Sequence, residues 1–215
     1  MFVNRRKPKD PERRVPKQKR AHERIERILD AAADVFAKVG VEAATIEQIA
    51  EEAGTSVGSI YQFFPNKIAL FEELARRYHE KVKVFFDGLI GGALLDLSVK
   101  DILDASVDAV WVFHEQETAF RAVWGDLGFT RNVLVEGEAL NKEFARRIEG
   151  VLGKKLVALP VKKRPIVATV MVEVLTAMLI LSTRRGSAAD SKALREETKI
   201  LLRRYVEPYE VRLTR

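Results

Sequence analysis

From Ala21 to the C-terminus apolar residues recur every three or four positions, and no useful length of chain alternates apolar and polar side chains. That period belongs to helices and not to strands, so it confines the chain to an all-α fold. Ile25, Ile28, Leu29, Ala32, Val35 and Phe36 make one such stripe, with Arg24, Glu26, Arg27, Asp30, Asp34 and Lys38 between them. Gly40 closes this helix where a left-handed cap is expected. Two short helices are expected at about 45–53 and 56–62, then a long one from Asn66 carrying Leu70, Phe71, Leu74, Tyr78, Val82 and Phe85 on one face. Gly88, Gly91 and Gly92 end it. Later helices fall at about 98–113, 116–125, 133–158, 164–185 and 188–207, which gives roughly nine in all. Ser98 caps the first of these; Gly125 and Gly128, Pro160 and Pro165, Gly186 and Pro208 mark the other boundaries.

Charge is distributed unevenly along this helical chain. The net charge of the 215 residues is +6. Residues 1–20 alone carry nine basic side chains (Arg5, Arg6, Lys7, Lys9, Arg13, Arg14, Lys17, Lys19, Arg20) against Asp10 and Glu12. Pro8, Pro11 and Pro16 are expected to break any helix there, and Phe2, Val3 and Val15 are too few to build a core. The reading is a flexible basic arm over 1–20, either binding a polyanion such as nucleic acid or anionic lipid, or serving as a solvated tail. No apolar signal segment lies in this stretch, so a cytoplasmic chain is expected. A hydrophobic fraction of 47% and a charged fraction of 32% suit a packed core and exclude a wholly membrane-embedded or wholly disordered chain. The absence of cysteine excludes thiolate chemistry, disulfides and Cys-containing zinc sites.

The segment from Thr45 to Lys67 carries the function. Thr45 and Gln48 have capping-box spacing, so a short helix starts there and turns Ile46, Ile49, Ala50 and Ala53 inward. Gly54 follows where a tight turn needs a left-handed backbone. Ser56 caps the next helix, and Ile60 and Phe64 fall on its inner side. Helix, short glycine turn and second helix at these spacings make a helix-turn-helix, whose second helix enters the DNA major groove. Ser56, Gly58, Ser59, Tyr61 and Gln62 are small or hydrogen-bonding and carry no negative charge. Gly58 weakens a helix, so either a backbone approaching DNA closely or a helix packed against it is needed to explain its presence. Lys67, in the first turn of the following helix, brings its ammonium beside free N–H groups, a pairing suited to a phosphate. Tyr61 offers a phenol to a phosphate or packs on the first helix.

On these residues the chain resembles the TetR family of transcriptional regulators. The match runs over about 22–68: the leading helix ending in Val39-Gly40, then Thr45, Ile49-Ala50, Ala53-Gly54, Ser59-Ile60-Tyr61, Phe64 and Asn66-Lys67. The resemblance implies a three-helix DNA-binding domain over 21–67 and a helical ligand-binding and dimerisation domain over 68–215. It also implies a homodimer on a double-stranded operator, usually a repressor released by a small molecule. Thr45, Tyr61 and Lys67 would bind phosphates, with Ser56, Val57, Gly58, Ser59 and Gln62 facing the groove. Val57 stands where the family often has a polar or basic residue; it either touches a thymine methyl or turns inward beside Ile60. Phe63 replaces a common His. The arm is expected to reach an adjacent minor groove.

The second domain concentrates Phe85, Phe86, Trp111, Phe113, Phe120, Trp124, Phe129 and Phe144 with Met171 and Met178. Such residues build either an ordinary core or a ligand site between bundle helices. The expected effector site comprises Trp111, His114, Phe120, Arg121, Trp124, Phe144, Met171, Glu173 and Met178, with Asn141 a further polar contact, around a largely apolar or aromatic effector. The last two helices are the expected dimer interface, supplying Val167, Val170, Met171, Val174, Leu175, Met178 and Leu181, then Leu194, Ile200, Leu201, Leu202 and Tyr205. Ile166–Ser182 is apolar enough to suggest a membrane span, but Glu173 at its centre points to a core or interface helix. Gly54-Thr55-Ser56-Val57-Gly58 has the spacing of a hydrolase elbow without the strand that elbow needs. His22, His79 and His114 each precede a Glu but lack the second His of a zinc helix. No enzyme, metal or cofactor is expected. Two other readings share the pattern: an activator of the same fold, and a polyanion- or membrane-binding helical module using the arm.

Overall fold

A computed structural model describes residues 14–90, 96–124, 131–185 and 187–210. Residues 1–13 of the arm, Gly91, Gly92, Gly125, Gly128, Phe129 and Gly186 lie outside them. The described residues form nine α-helices and two short 3-10 turns, with no strand among them. The helices are α1 (Arg14–Ala43), α2 (Ile46–Glu52), α3 (Val57–Tyr61), α4 (Lys67–Ile90), α5 (Val99–Gln116), α6 (Thr118–Trp124), α7 (Arg131–Lys155), α8 (Arg164–Arg185) and α9 (Ala188–Val206). The all-α expectation holds. One boundary is corrected: α1 begins at Arg14 and not at Ala21, so Pro16 does not break it. Pro16 sits in the first turn, where a backbone N–H has no intrahelical acceptor and its absence costs nothing.

Gly40 interrupts the end of α1 with φ 80° and ψ 161°, a conformation open essentially to glycine alone. The kink turns Val41 and Ala44 back into the core beside Phe36. Three helices then close around α1. Ile28, Ile49, Ile60, Leu70 and Leu74 are fully buried, and Phe36 meets Phe71 edge-to-face at 5.9 Å. Arg77 of α4 reaches Glu26 at 2.9 Å and Asp30 at 2.8 Å on α1, fixing the two helices outside the apolar contact.

Helix α4 continues into the second domain, where α5 to α9 pack around its far half. Small side chains set the junction: Ala31, Ala32 and Ala33 of α1 and Ala119 and Ala122 of α6 are all buried, which lets these two helices run close together. Helices α5 and α9 are joined by a polar ladder. Asp108 pairs with Lys199 at 2.7 Å, Asp104 with Arg203 at 3.2 Å, and the Trp111 indole N–H donates to the Ser191 hydroxyl at 2.8 Å. Helix α8 is apolar on nearly every side: a stretch within Val161–Arg184 has mean hydropathy 2.1, yet only 28% of it is buried.

Candidate nucleic-acid interface and internal cavity

Helices α2 and α3 are defined by side-chain caps at the expected residues. Thr45 Oγ1 accepts from the Gln48 N–H at 3.3 Å, and Gln48 Oε1 accepts from the Thr45 N–H at 2.9 Å, completing the capping box. At the other end the Thr55 N–H donates to Ala50 O at 2.9 Å and the Gly54 N–H to Glu51 O at 3.1 Å. This paired closure requires the left-handed residue that Gly54, with φ 60°, supplies. Ser56 Oγ then accepts from the Ser59 N–H at 3.2 Å and starts α3.

The inner side of α3 is Ile60, fully buried, followed by Phe64. The outer side presents Ser56, Gly58, Tyr61 and Gln62 to solvent, with Ser59 half-buried between them. Tyr61 is 50% exposed, which removes the reading that it packs on the first helix. Gly58 is informative for what surrounds it: a Cβ built there meets nothing within 4 Å. Helix packing therefore does not explain this glycine. Val57 is corrected: it is half-buried and packed against the core together with Phe63, because it lies one turn from Ile60. Lys67 also differs from the simplest expectation. Its ammonium donates to the carbonyls of Glu42 and Ala44, both at 2.8 Å, and so ties the start of α4 to the end of α1. Arg24 of α1 stands 3.5 Å from Ser59 Oγ and brings a cation beside α3 that the sequence reading did not assign.

Between α4, α5, α6, α7 and α8 lies a cavity of about 400 Å³. Six of the expected ligand residues line it: His114, Phe120, Trp124, Phe144, Met171 and Glu173, and so does Asn141. Three do not. Trp111 is fully buried, but its indole is taken by Ser191 on the α9 side. Arg121 is exposed, its guanidinium donating to Glu115 O at 3.2 Å, because it lies on the outer side of the short α6. Met178 packs against the core at a position of α8 that faces away from the cavity. The aromatic walls are tightly arranged: Phe86 stacks on Phe144 at 3.9 Å and His114 on Phe120 at 4.5 Å. Trp124 lies over Gly137, where a Cβ would come within 3.1 Å of the indole.

Two cavity residues escaped the sequence reading, Tyr78 and His79. Both lie on the buried face of α4, since Phe71, Ala75 and His79 repeat at four-residue spacing; that periodicity was the available signal. The Tyr78 hydroxyl and His114 Nδ1 are 2.5 Å apart. Burial, with the charge of Glu117, pushes the Tyr78 phenol well above its usual range, and burial lowers His114 to about 3. Tyr78 therefore keeps its proton and donates it to a neutral His114, leaving the imidazole proton on Nε2. His79 is lowered mainly by burial, against the opposing pull of Glu136, whose carboxylate lies 3.5 Å from Nδ1.

The family profile described as "Bacterial regulatory proteins, tetR family" matches residues 28–74, and "Tetracyclin repressor-like, C-terminal domain" matches 98–205. The HTH-type transcriptional repressor KstR of Mycolicibacterium smegmatis is 30% identical over 187 residues, spanning 84% of this chain and 87% of the relative. KstR2 of Rhodococcus jostii is 31% identical over 97 residues, 41% of this chain and 48% of the relative. A TetR-family regulator from Streptomyces coelicolor superposes with TM-score 0.57 at 26% identity, covering 86% of this chain and 99% of that one. One from Mesorhizobium loti shares the fold with TM-score 0.69 at 15% identity, covering 89% and 99%. The helix-turn-helix and these relatives define a DNA-binding transcriptional regulator and not an enzyme. The chain belongs to the TetR family.

Proposed function

We propose that this regulator is a cytoplasmic repressor that grips a double-stranded operator with α3 of each subunit of a homodimer, and that a small, largely apolar molecule entering the cavity releases it. The division of labour is a reading head up to Lys67 and a ligand-binding and dimerisation domain beyond it. The observation that carries the reading is the shared wall. Tyr78, His79, Val82, Phe85 and Phe86 of α4 and Phe120 and Trp124 of α6 line the cavity, while the start of α4 is tied to α1 by Lys67 and α6 packs along α1. An occupant that displaces α4 or α6 must therefore strain or rotate the head. The phosphate contacts are assigned to Thr45, Tyr61 and the remaining proton of the Lys67 ammonium; Ser56, Gly58, Ser59 and Gln62 are assigned to the groove. Residues 1–13 extend the basic end of α1 and are assigned to neighbouring DNA.

Homodimer formation is supported by the exposed apolar stripe of α8 and α9. Ile166 is 60% exposed and Leu201 49%, and Thr169 and Ala177 on the same side of α8 are small enough for a partner helix to approach. Val167, Met171 and Leu202 are withdrawn from that interface, because they are buried within the subunit. Fluorescence anisotropy on DNA from upstream of the protein's own gene, beside a scrambled duplex and across a salt series, tests the reading. Preference for the native fragment at near-physiological salt supports a sequence-reading regulator. Equal binding that collapses steeply with salt reduces the interaction to counterion release and overturns it.

A further inference from the structure

Among the described residues, the cavity has almost no unmet polar capacity except at one place. Asn141 is engaged by Glu173 at 3.3 Å, Lys155 by Leu97 O at 3.0 Å, and His114 Nδ1 by Tyr78. Glu138 and Glu173 are exposed, so they sit where the cavity meets solvent. His79 is different. It is 5% exposed, it lines the cavity, and its Nε2 has no hydrogen-bond partner among the described residues. A buried polar atom in that state costs free energy unless a partner arrives.

The neighbours decide what the partner must be. The Glu136 carboxylate on the Nδ1 side holds the imidazole proton there, so Nε2 presents a lone pair. A carboxylate or ketone oxygen would set lone pair against lone pair; an O–H satisfies it. His114 adds the complement, since its Nδ1 accepts from Tyr78 and its proton sits on Nε2 in the same cavity. We propose that His79 is the polar anchor of the effector site, its Nε2 accepting a hydrogen bond from the hydroxyl of an otherwise apolar alcohol or phenol. This rests on the reading of the cavity as an effector site and specifies which chemistry that site selects.

The test uses two probes that differ only in the donor, 4-octylphenol and its methyl ether 4-octylanisole. Binding to the full chain is followed by tryptophan fluorescence, which reports only Trp111 and Trp124, the second of them in the cavity wall. The wild-type protein is expected to prefer the phenol by roughly five- to tenfold. His79→Leu is expected to bind the two probes equally, with its affinity for the ether retained. Circular dichroism confirms that this variant is folded, and the wild-type preference stands as a separate check that needs no variant. Equal wild-type affinity for the two probes, or a preference that survives in His79→Leu, overturns the anchor while leaving the cavity as an apolar receptor. Failure of both probes to bind the wild-type protein overturns the effector reading itself, and the anchor with it.

Discussion

The reading head and the effector domain are built from the same residue types but to opposite ends. In the head, Ile28, Ile49, Ile60, Leu70 and Leu74 close on one another with no exposed surface, and each short helix has its terminal N–H groups met by Thr45, Ser56 or Asn66. In the effector domain a wall of Phe, Leu, Val and Ile residues stops short of closing and leaves about 400 Å³ with an unpartnered imidazole nitrogen at its edge. A closed core holds the spacing between Ser56 and Gln62 that DNA recognition demands. An open one gives up packing energy at a place where a guest can restore it. The difference separates a part that must not deform from a part that must.

The largest effect that tests this contrast is truncation in the head. Ile60→Ala should destabilise the protein by about 2–5 kcal/mol, since nothing around a fully buried residue is free to collapse into the gap. Urea unfolding measures it, and a loss well below that range would mean the head is softer than described. Enlargement gives the opposite signs in the two regions. Ala50→Leu, at a position 3% exposed, should cost about 1–3 kcal/mol by overpacking. Ser106→Leu, on the cavity wall, should cost nothing or stabilise while reducing probe uptake. Equal penalties at the two sites would break the comparison.

A third prediction turns on His114. Its pKa is about 3 when folded and ordinary when unfolded, so between those values the unfolded chain holds a proton the folded chain refuses. Stability therefore falls as pH drops below about 6.5, by up to about 1.4 kcal/mol per pH unit from this residue. His114→Phe should flatten the slope between pH 6.5 and 4 by that amount in urea titrations. An unchanged slope would remove the buried neutral imidazole from the account.

The head was legible in the sequence because its determinants are local. Thr45 with Gln48, Ser56 with Ser59 and the left-handed Gly54 each act within three or four residues, so spacing alone exposes them. Contacts between distant segments were not legible. Lys67 reaches carbonyls at Glu42 and Ala44, and Trp111 meets Ser191 on a different helix, which turned an expected ligand residue into a core one. Arg121 and Met178 failed because composition identifies aromatic and polar residues without saying which side of α6 or α8 faces inward. His79 was missed although the period of α4 places it on the buried face, because its chemistry was weighed only against metal binding.

The smallest effect on stability carries the most direct test of the central claim, that the outer side of α3 reads DNA. Gly58 has open space around it and lies within a helix, so Gly58→Ala should leave stability unchanged or raise it by about 0.5–1 kcal/mol. Melting temperature and anisotropy on the upstream duplex are measured on the same preparation. The account predicts a protein at least as stable as the wild type that binds the duplex at least tenfold more weakly, because the added methyl group occupies the place where the groove approaches the backbone. A Gly58→Ala variant that binds the duplex as tightly as the wild type would contradict it.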